Sequence, residues 1–158
     1  MAEIRSSAER VRQALIALGH APDIREFGET TRTSADAAAA IGCTVGQIAK
    51  SLVFRAAGSN RAVLIIASGA NRVNEKLVAD ALSERIVKAD AAFVRDKTGF
   101  AIGGVAPVGH TEAPIVVIDA DLLQYAEIWA AAGTPNAVFR LTPAALVAMT
   151  GGRVIAVK

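Results

Sequence analysis

Apolar residues recur at helical spacing through Ile4, Ala8, Val11, Leu15 and Leu18, and Gly19 follows them. The pattern predicts an amphipathic helix docked on a sheet, opened by a capping box at Ser6-Ser7-Ala8-Glu9 and stopped by the glycine. Pro22 to Gly28 mixes polar and apolar positions and predicts a short edge strand. Thr33 is placed to cap a small helix over Ser34 to Ile41, with Gly42 ending it and the run Ala37 to Ala40 favouring helix. Thr44-Val45-Gly46-Gln47 repeats the capping-box pattern and opens one turn that leads into Ile48-Ala49-Lys50.

There the period changes. Ser51 to Arg55 and Arg61 to Ser68 read as strands, and Gly58-Ser59-Asn60 between them predicts a hairpin. The unbroken apolar run Val63 to Ala67 implies burial on both faces, hence a central strand. Asn71 to Lys76 opens a helix that carries Val73, Leu77, Val78, Ala81 and Leu82 on one face. A short strand at Arg85 to Ala89 follows, then a helix capped by Asp90 and closed by Gly99. Further on, Pro114 to Ile118 predicts a strand and Asp121 caps a turn over Leu122 to Tyr125. Glu127 to Ala132 and Ala137 to Leu141 form a second hairpin around Gly133-Thr134-Pro135-Asn136. Thr142-Pro143 starts a helix that ends at Gly151-Gly152, and Arg153 to Val157 is the last strand. Strands and helices do not alternate strictly, which argues against a doubly wound sheet. The expectation is one α/β domain over residues 1–158, with a mixed, curved and partly closed sheet surrounded by short helices.

One stretch fits none of these elements. Thr98 to His110 holds Gly99, Gly103, Gly104, Gly109 and Pro107 within an apolar run. Glycine weakens a strand but suits backbone at positive φ or in close approach to another group. Pro107 lacks an N–H, so the amides of Gly103, Gly104, Val105 and Ala106 are expected to be free to hold a carbonyl oxygen or a phosphate. An ordinary tight turn is the competing reading. Lys50, expected at a helix-to-strand junction beside the most buried strand pair, is a second candidate; a plain surface charge is its alternative.

Composition narrows the chemistry. A net charge of +2 permits contact with a polyanion but is no polybasic coat. The single cysteine, Cys43, excludes an internal disulfide and disfavours a thiolate metal site. The two histidines, His20 and His110, are too few and too isolated for a zinc cluster, so no metal and no cofactor are expected. The N-terminal residues make a poor signal peptide and no apolar run reaches spanning length, so a soluble cytoplasmic protein without membrane contact is expected. Phosphate-loop, dinucleotide, Gly-x-Ser-x-Gly and His-Glu-x-x-His motifs are absent. Cys43 reads as a nucleophile or as a small structural thiol, and His110 as a base near the loop or as a satisfied structural group.

Four blocks in order carry a resemblance: Ile48 to Phe54, Asn71 to Lys76, Thr98 to His110 and Ala132 to Leu141. With them the chain resembles the YbaK/ProX-type aminoacyl-tRNA deacylases, relatives of the editing insertion domain of bacterial prolyl-tRNA synthetase. The resemblance implies a mixed α/β fold and hydrolysis, in trans, of the ester joining a wrong amino acid to a tRNA. Lys50 falls on the family's functional lysine and Gly103-x-x-x-Pro107 on its Gly-x-x-x-Pro loop. Gly133, Thr134, Pro135 and Asn136 sit where some members place pocket-lining residues.

The residues suit that chemistry. Amides near Gly103 to Ala106 can stabilise a developing oxyanion, and Lys50 can meet the terminal adenosine and its phosphate. Thr31, Thr33, Ser68 and Thr134 are candidates for lining a small amino-acid pocket, with turn or capping roles as the alternative. The expected partner is the 3′ acceptor end of a mischarged tRNA, proline tRNA first, and prolyl-tRNA synthetase is a second candidate partner. A tRNA-binding module without hydrolysis, or a small-molecule binder on the same scaffold, is the rival reading.

Overall fold

The computed structural model describes residues 2–28 and 33–158. Among them eight strands form one sheet: β1 (Ile24–Glu26), β2 (Ile48–Ala56), β3 (Ala62–Ser68), β4 (Ile86–Lys88), β5 (Ile115–Asp119), β6 (Ile128–Ala131), β7 (Ala137–Leu141) and β8 (Arg153–Ile155). Five α-helices accompany them: α1 (Ala2–Ala17), α2 (Ser34–Ile41), α3 (Glu75–Leu82), α4 (Ala91–Thr98) and α5 (Pro143–Thr150). The sheet order is β1-β7-β6-β2-β3-β5-β8, with β4 attached to β2 off this path. Pairings β2–β6, β3–β5 and β5–β8 are parallel and the others antiparallel, so the sheet is mixed. It is not closed: β1 and β8 stand at opposite ends of the order and do not pair.

β3 is central and every residue in it is buried. Its side chains divide by parity as a pleated strand requires. Leu64 and Ile66 join one apolar cluster with Val11, Leu15, Phe100, Phe139 and Leu146, while Val63, Ile65 and Ala67 join another with Val78 of α3. A third, smaller cluster seats α2, through Ala37 and Ala38, on Ile48, Trp129 and Val138.

Local signals placed most boundaries. Thr33 Oγ1 accepts from the Asp36 amide at 3.1 Å and Gly42 ends α2 at φ 87°. Asp90 caps α4, and Thr142 caps α5 with Pro143 in its first turn. Thr44 N donates to Gln47 Oε1 at 3.0 Å, completing the short 3-10 turn that hands the chain to β2.

Four expectations are corrected. Ser6 lies inside α1, which begins at Ala2, so Ser6-Ser7-Ala8-Glu9 is not a cap. Lys50 is the third residue of β2 and not at a junction, because the strand begins at Ile48. α3 begins at Glu75 behind Asn74, whose Oδ1 accepts from the Leu77 amide at 3.1 Å, leaving Asn71 in the loop before it. The turn after β5 is capped by Asp119 and not Asp121; Asp119 Oδ1 accepts from the Asp121 amide at 2.9 Å.

Candidate functional site

The site grows from a gap beside β2. One edge of β2 pairs with β3 throughout, from Ala49 to Arg55. The other edge meets β6 only at Ile48 and Ala49, and β4 only from Phe54 to Ala56. Ile48 O accepts from the Gly69 amide and Ala56 N donates to Arg61 O, so the even-numbered residues turn their main-chain groups toward β3. Odd-numbered residues therefore face the other edge. Ala49 and Arg55 find strand partners there; Ser51 and Val53 lie between β6 and β4, where no strand reaches.

The glycine-rich loop comes to that gap. Ile102, Gly103 and Val105 line, together with Ala49 to Leu52, a cleft of about 290 Å³ that is also lined by Trp129, Val138 and the start of α2. A smaller apolar compartment of about 180 Å³ shares Ser51, Leu52, Ile102, Gly103 and Val105, and continues to Phe54 and Val94. A roomier depression of about 510 Å³ lies elsewhere, by His20 and Arg140. Arg140 there is held by Asp23 and Glu127, and no residue of the candidate set lines it.

Lys50 lines the larger cleft. Its Nζ donates to the main-chain oxygen of Asn71 at 2.6 Å. Asn71 is itself pinned: its Nδ2 donates to Asp119 Oδ2 at 2.8 Å and to Asp121 Oδ2 at 2.7 Å. Asp119 is buried and accepts further from the Ser68 amide at 3.0 Å. Burial lowers the Lys50 pKa from 10.5, and the negative charge of Asp119 acts in the opposite direction. The result is a cation whose stem is fixed, with two ammonium protons not used by Asn71.

The loop differs from expectation in detail. Gly104 N donates to Ala101 O at 3.0 Å, so that amide is not free. The amides of Gly103 and Val105 take no main-chain partner among the described residues, and both residues line the cleft. Gly103 has φ 94°, a conformation that glycine alone adopts readily. Gly104 is needed for space: a Cβ there would stand 2.9 Å from the Thr134 carbonyl carbon. Ala106 and Pro107 are buried and do not line the cleft.

His110 braces the loop from behind. Its Nε2 lies 2.6 Å from Ala106 O, and because a carbonyl only accepts, the proton sits on Nε2. The ring packs edge-on to Phe100 at 5.5 Å, and the Arg10 guanidinium lies over the other ring at 4.4 Å. Burial lowers the His110 pKa below 6.5; the carbonyl contact opposes this and Arg10 adds to it. His110 does not line the cleft, so a base role there is not what its position supplies.

The other candidates scatter. Thr31 lies outside the described residues. Thr33 reaches the cleft, though its hydroxyl is taken by the α2 cap. Ser68 is buried, and its Oγ donates to Gly46 O at 2.7 Å. Gly133, Thr134, Pro135 and Asn136 form a turn behind the loop: Thr134 Oγ1 donates to Asn136 Oδ1, and Asn136 Nδ2 donates to Phe27 O. From that hairpin it is the strand residues Trp129 to Ala131 and Val138 that line the cleft, not the turn. Cys43 packs beside α2, and burial pushes its thiol pKa up, which opposes a nucleophilic role.

Four residues escaped the sequence reading of the site. Asn71 lies in the Asn71 to Lys76 block, whose pattern marks only a helix start, and Asp119 directly follows the strand expected over Pro114 to Ile118. Ser51 Oγ and Trp129 Nε1 are buried without a hydrogen-bond partner among the described residues, and both residues line the cleft. No periodicity marks them. Among the described residues no group of His, Cys, Asp and Glu could hold a metal ion, and no helix is long and apolar enough to cross a membrane.

Comparison with known proteins agrees with this fold. Residues 28–149 match the family described as the aminoacyl-tRNA editing domain. The uncharacterized protein YwhH of Bacillus subtilis (strain 168) is 33% identical over 121 residues, covering 77% of this chain and 76% of the relative. A crystal structure described as that of "a putative trans-editing enzyme for prolyl tRNA synthetase" is 44% identical and superposes with a TM-score of 0.90 over 96% of each chain. The crystal structure of the hypothetical protein APE2540 is 28% identical, with a TM-score of 0.86 over 94% of this chain and 98% of that one.

Proposed function

Because this chain belongs to the aminoacyl-tRNA editing domain family, we propose that it is a trans-acting hydrolase of mischarged tRNA. Its substrate in this reading is the ester joining a small, wrongly attached amino acid to the 3′ end of a tRNA, with proline tRNA the first to test. The kinship with a structure assigned to prolyl-tRNA synthetase editing supports that choice. Prolyl-tRNA synthetase is the proposed source of the substrate, and the cytoplasm the proposed place.

The observation that carries the reading is the shared cleft of Lys50 and the Gly103–Val105 loop. Lys50 presents a fixed cation to the phosphate or ester end of the acceptor strand. The Gly103 and Val105 amides supply donors for the carbonyl oxygen as it gains charge. Water adds to the carbonyl carbon, the bond to the ribose oxygen breaks, and that oxygen leaves with a proton. Among the described lining residues there is no Asp, Glu, His or Cys to act as a base. A ribose hydroxyl of the substrate fits the task of orienting the water.

The test is a panel of tRNAs charged with alanine, serine, threonine, cysteine, 2-aminobutyrate and proline. The expected result is rapid deacylation of at least one small mischarged species, with prolyl-tRNA spared. Hydrolysis at the buffer rate throughout overturns the reading.

A further inference from the structure

We infer that Ser51 reads a hydroxyl on the aminoacyl side chain, so that the cleft takes seryl and threonyl esters in preference to alanyl and 2-aminobutyryl esters. The inference rests on the deacylase reading above and narrows its substrate class.

Ser51 lines both compartments, one residue from Lys50 in β2, and Gly103 lines both with it. The larger compartment holds Lys50 and suits the nucleotide end of the substrate. The smaller one is lined by Val53, Phe54, Val94, Ile102 and Val105, and its volume and apolar lining suit a small side chain. Among its described lining residues Ser51 carries the only polar side chain. That hydroxyl is shielded from solvent and has no hydrogen-bond partner among the described residues.

A buried hydroxyl without a partner destabilises the chain that carries it. Serine has three staggered χ1 wells, so its Oγ can turn toward a ligand in the small compartment. A substrate hydroxyl in the small compartment gives Ser51 the partner it lacks, as donor or acceptor. An alanyl or 2-aminobutyryl group leaves it unpaired. Discrimination of this kind turns on an unpaired polar group and not on size. Apolar walls alone would order substrates by size.

Two substrate pairs differ by one hydroxyl only: seryl against alanyl, and threonyl against 2-aminobutyryl, each on the same tRNA. For the wild-type chain kcat/KM is expected to favour the hydroxylated member of each pair by about tenfold or more. Ser51→Ala is expected to bring both ratios to within about twofold to threefold of one, with a Tm equal to or above that of wild type, because no internal hydrogen bond is removed and an unpaired buried hydroxyl is. A wild-type preference for the alanyl or 2-aminobutyryl ester, or ratios that survive Ser51→Ala, overturns the inference. If no ester is hydrolysed, the deacylase reading fails, and the inference is read from binding instead. Hydrolysis-resistant 3′-amide analogues of seryl- and alanyl-adenosine then give the Kd ratio, and equal Kd values overturn it.

Discussion

Lys50 Nζ donates to the main-chain oxygen of Asn71 at 2.6 Å, and two carboxylates, Asp119 and Asp121, hold the Asn71 side chain in place. The cleft cation is thus oriented by a neutral oxygen and supported from a distance by a buried negative charge. This arrangement fixes the ammonium without locking it in an ion pair, and leaves it able to engage an anion.

Burial lowers the Lys50 pKa and Asp119 partly offsets that effect. If turnover needs the ammonium, kcat/KM falls as pH rises through this lowered value, below the 10.5 of an ordinary lysine. Asp119→Asn removes the opposing charge and moves the alkaline limb further toward acid. The profile is measured as enzymatic minus spontaneous hydrolysis, with Tm recorded on the same preparation. A limb that stays in place or moves upward in folded Asp119→Asn contradicts the coupling.

Lys50→Ala removes a charge-assisted contact worth about 1.5–3 kcal/mol in the substrate complex. At about 1.4 kcal/mol per decade, kcat/KM is expected to fall from roughly tenfold to a few hundredfold. Tm is expected to fall only modestly, because the side chain gives up its bond to Asn71 O but makes no ion pair among the described residues, and its burial disfavours its charge. Near-normal turnover in a stable variant would remove Lys50 from the mechanism.

Gly104→Ala places a methyl 2.9 to 3.1 Å from three main-chain atoms of Thr134, which no rotamer change can clear. The loop or the turn must shift, at a cost of about 1–3 kcal/mol. Both Tm and kcat/KM are expected to drop. Gly103→Ala fails for another reason, since φ 94° strains any L side chain. A Gly104→Ala variant with wild-type Tm would show that the loop does not pack as described.

His110 is held neutral by burial, with a pKa below 6.5. The unfolded chain protonates first as pH falls, so stability is full above about 6.5 and is lost as pH drops through the lower folded value. Tm against pH is expected to fall more steeply on this acid side for wild type than for His110→Gln. Equal slopes would mean that His110 does not titrate across folding.

The amino-acid sequence by itself determined the elements whose causes are local. The caps at Thr33, Asp90 and Thr142, the stops at Gly42 and Gly99, and the buried run that became β3 all depend on neighbours within a few residues. The glycine pattern marked the Gly103–Pro107 loop, the buried strand pair drew attention to Lys50, the family resemblance supplied a role for each, and the structure brings Lys50 and Gly103 to one cleft. Tertiary structure alone decided the rest. The gap at Ser51 and Val53 exists because β6 and β4 meet different ends of one β2 edge, and strand pairing across tens of residues leaves no trace in local periodicity. Asn71 and Asp119, 48 positions apart, become partners for Lys50 only once β5 lies parallel to β3. The same packing ties up the Gly104 amide and sets His110 behind the loop, where local pattern had left both free to act. Hydrogen bonds between distant segments are settled by which surfaces the core buries together, and that is a property of the folded chain.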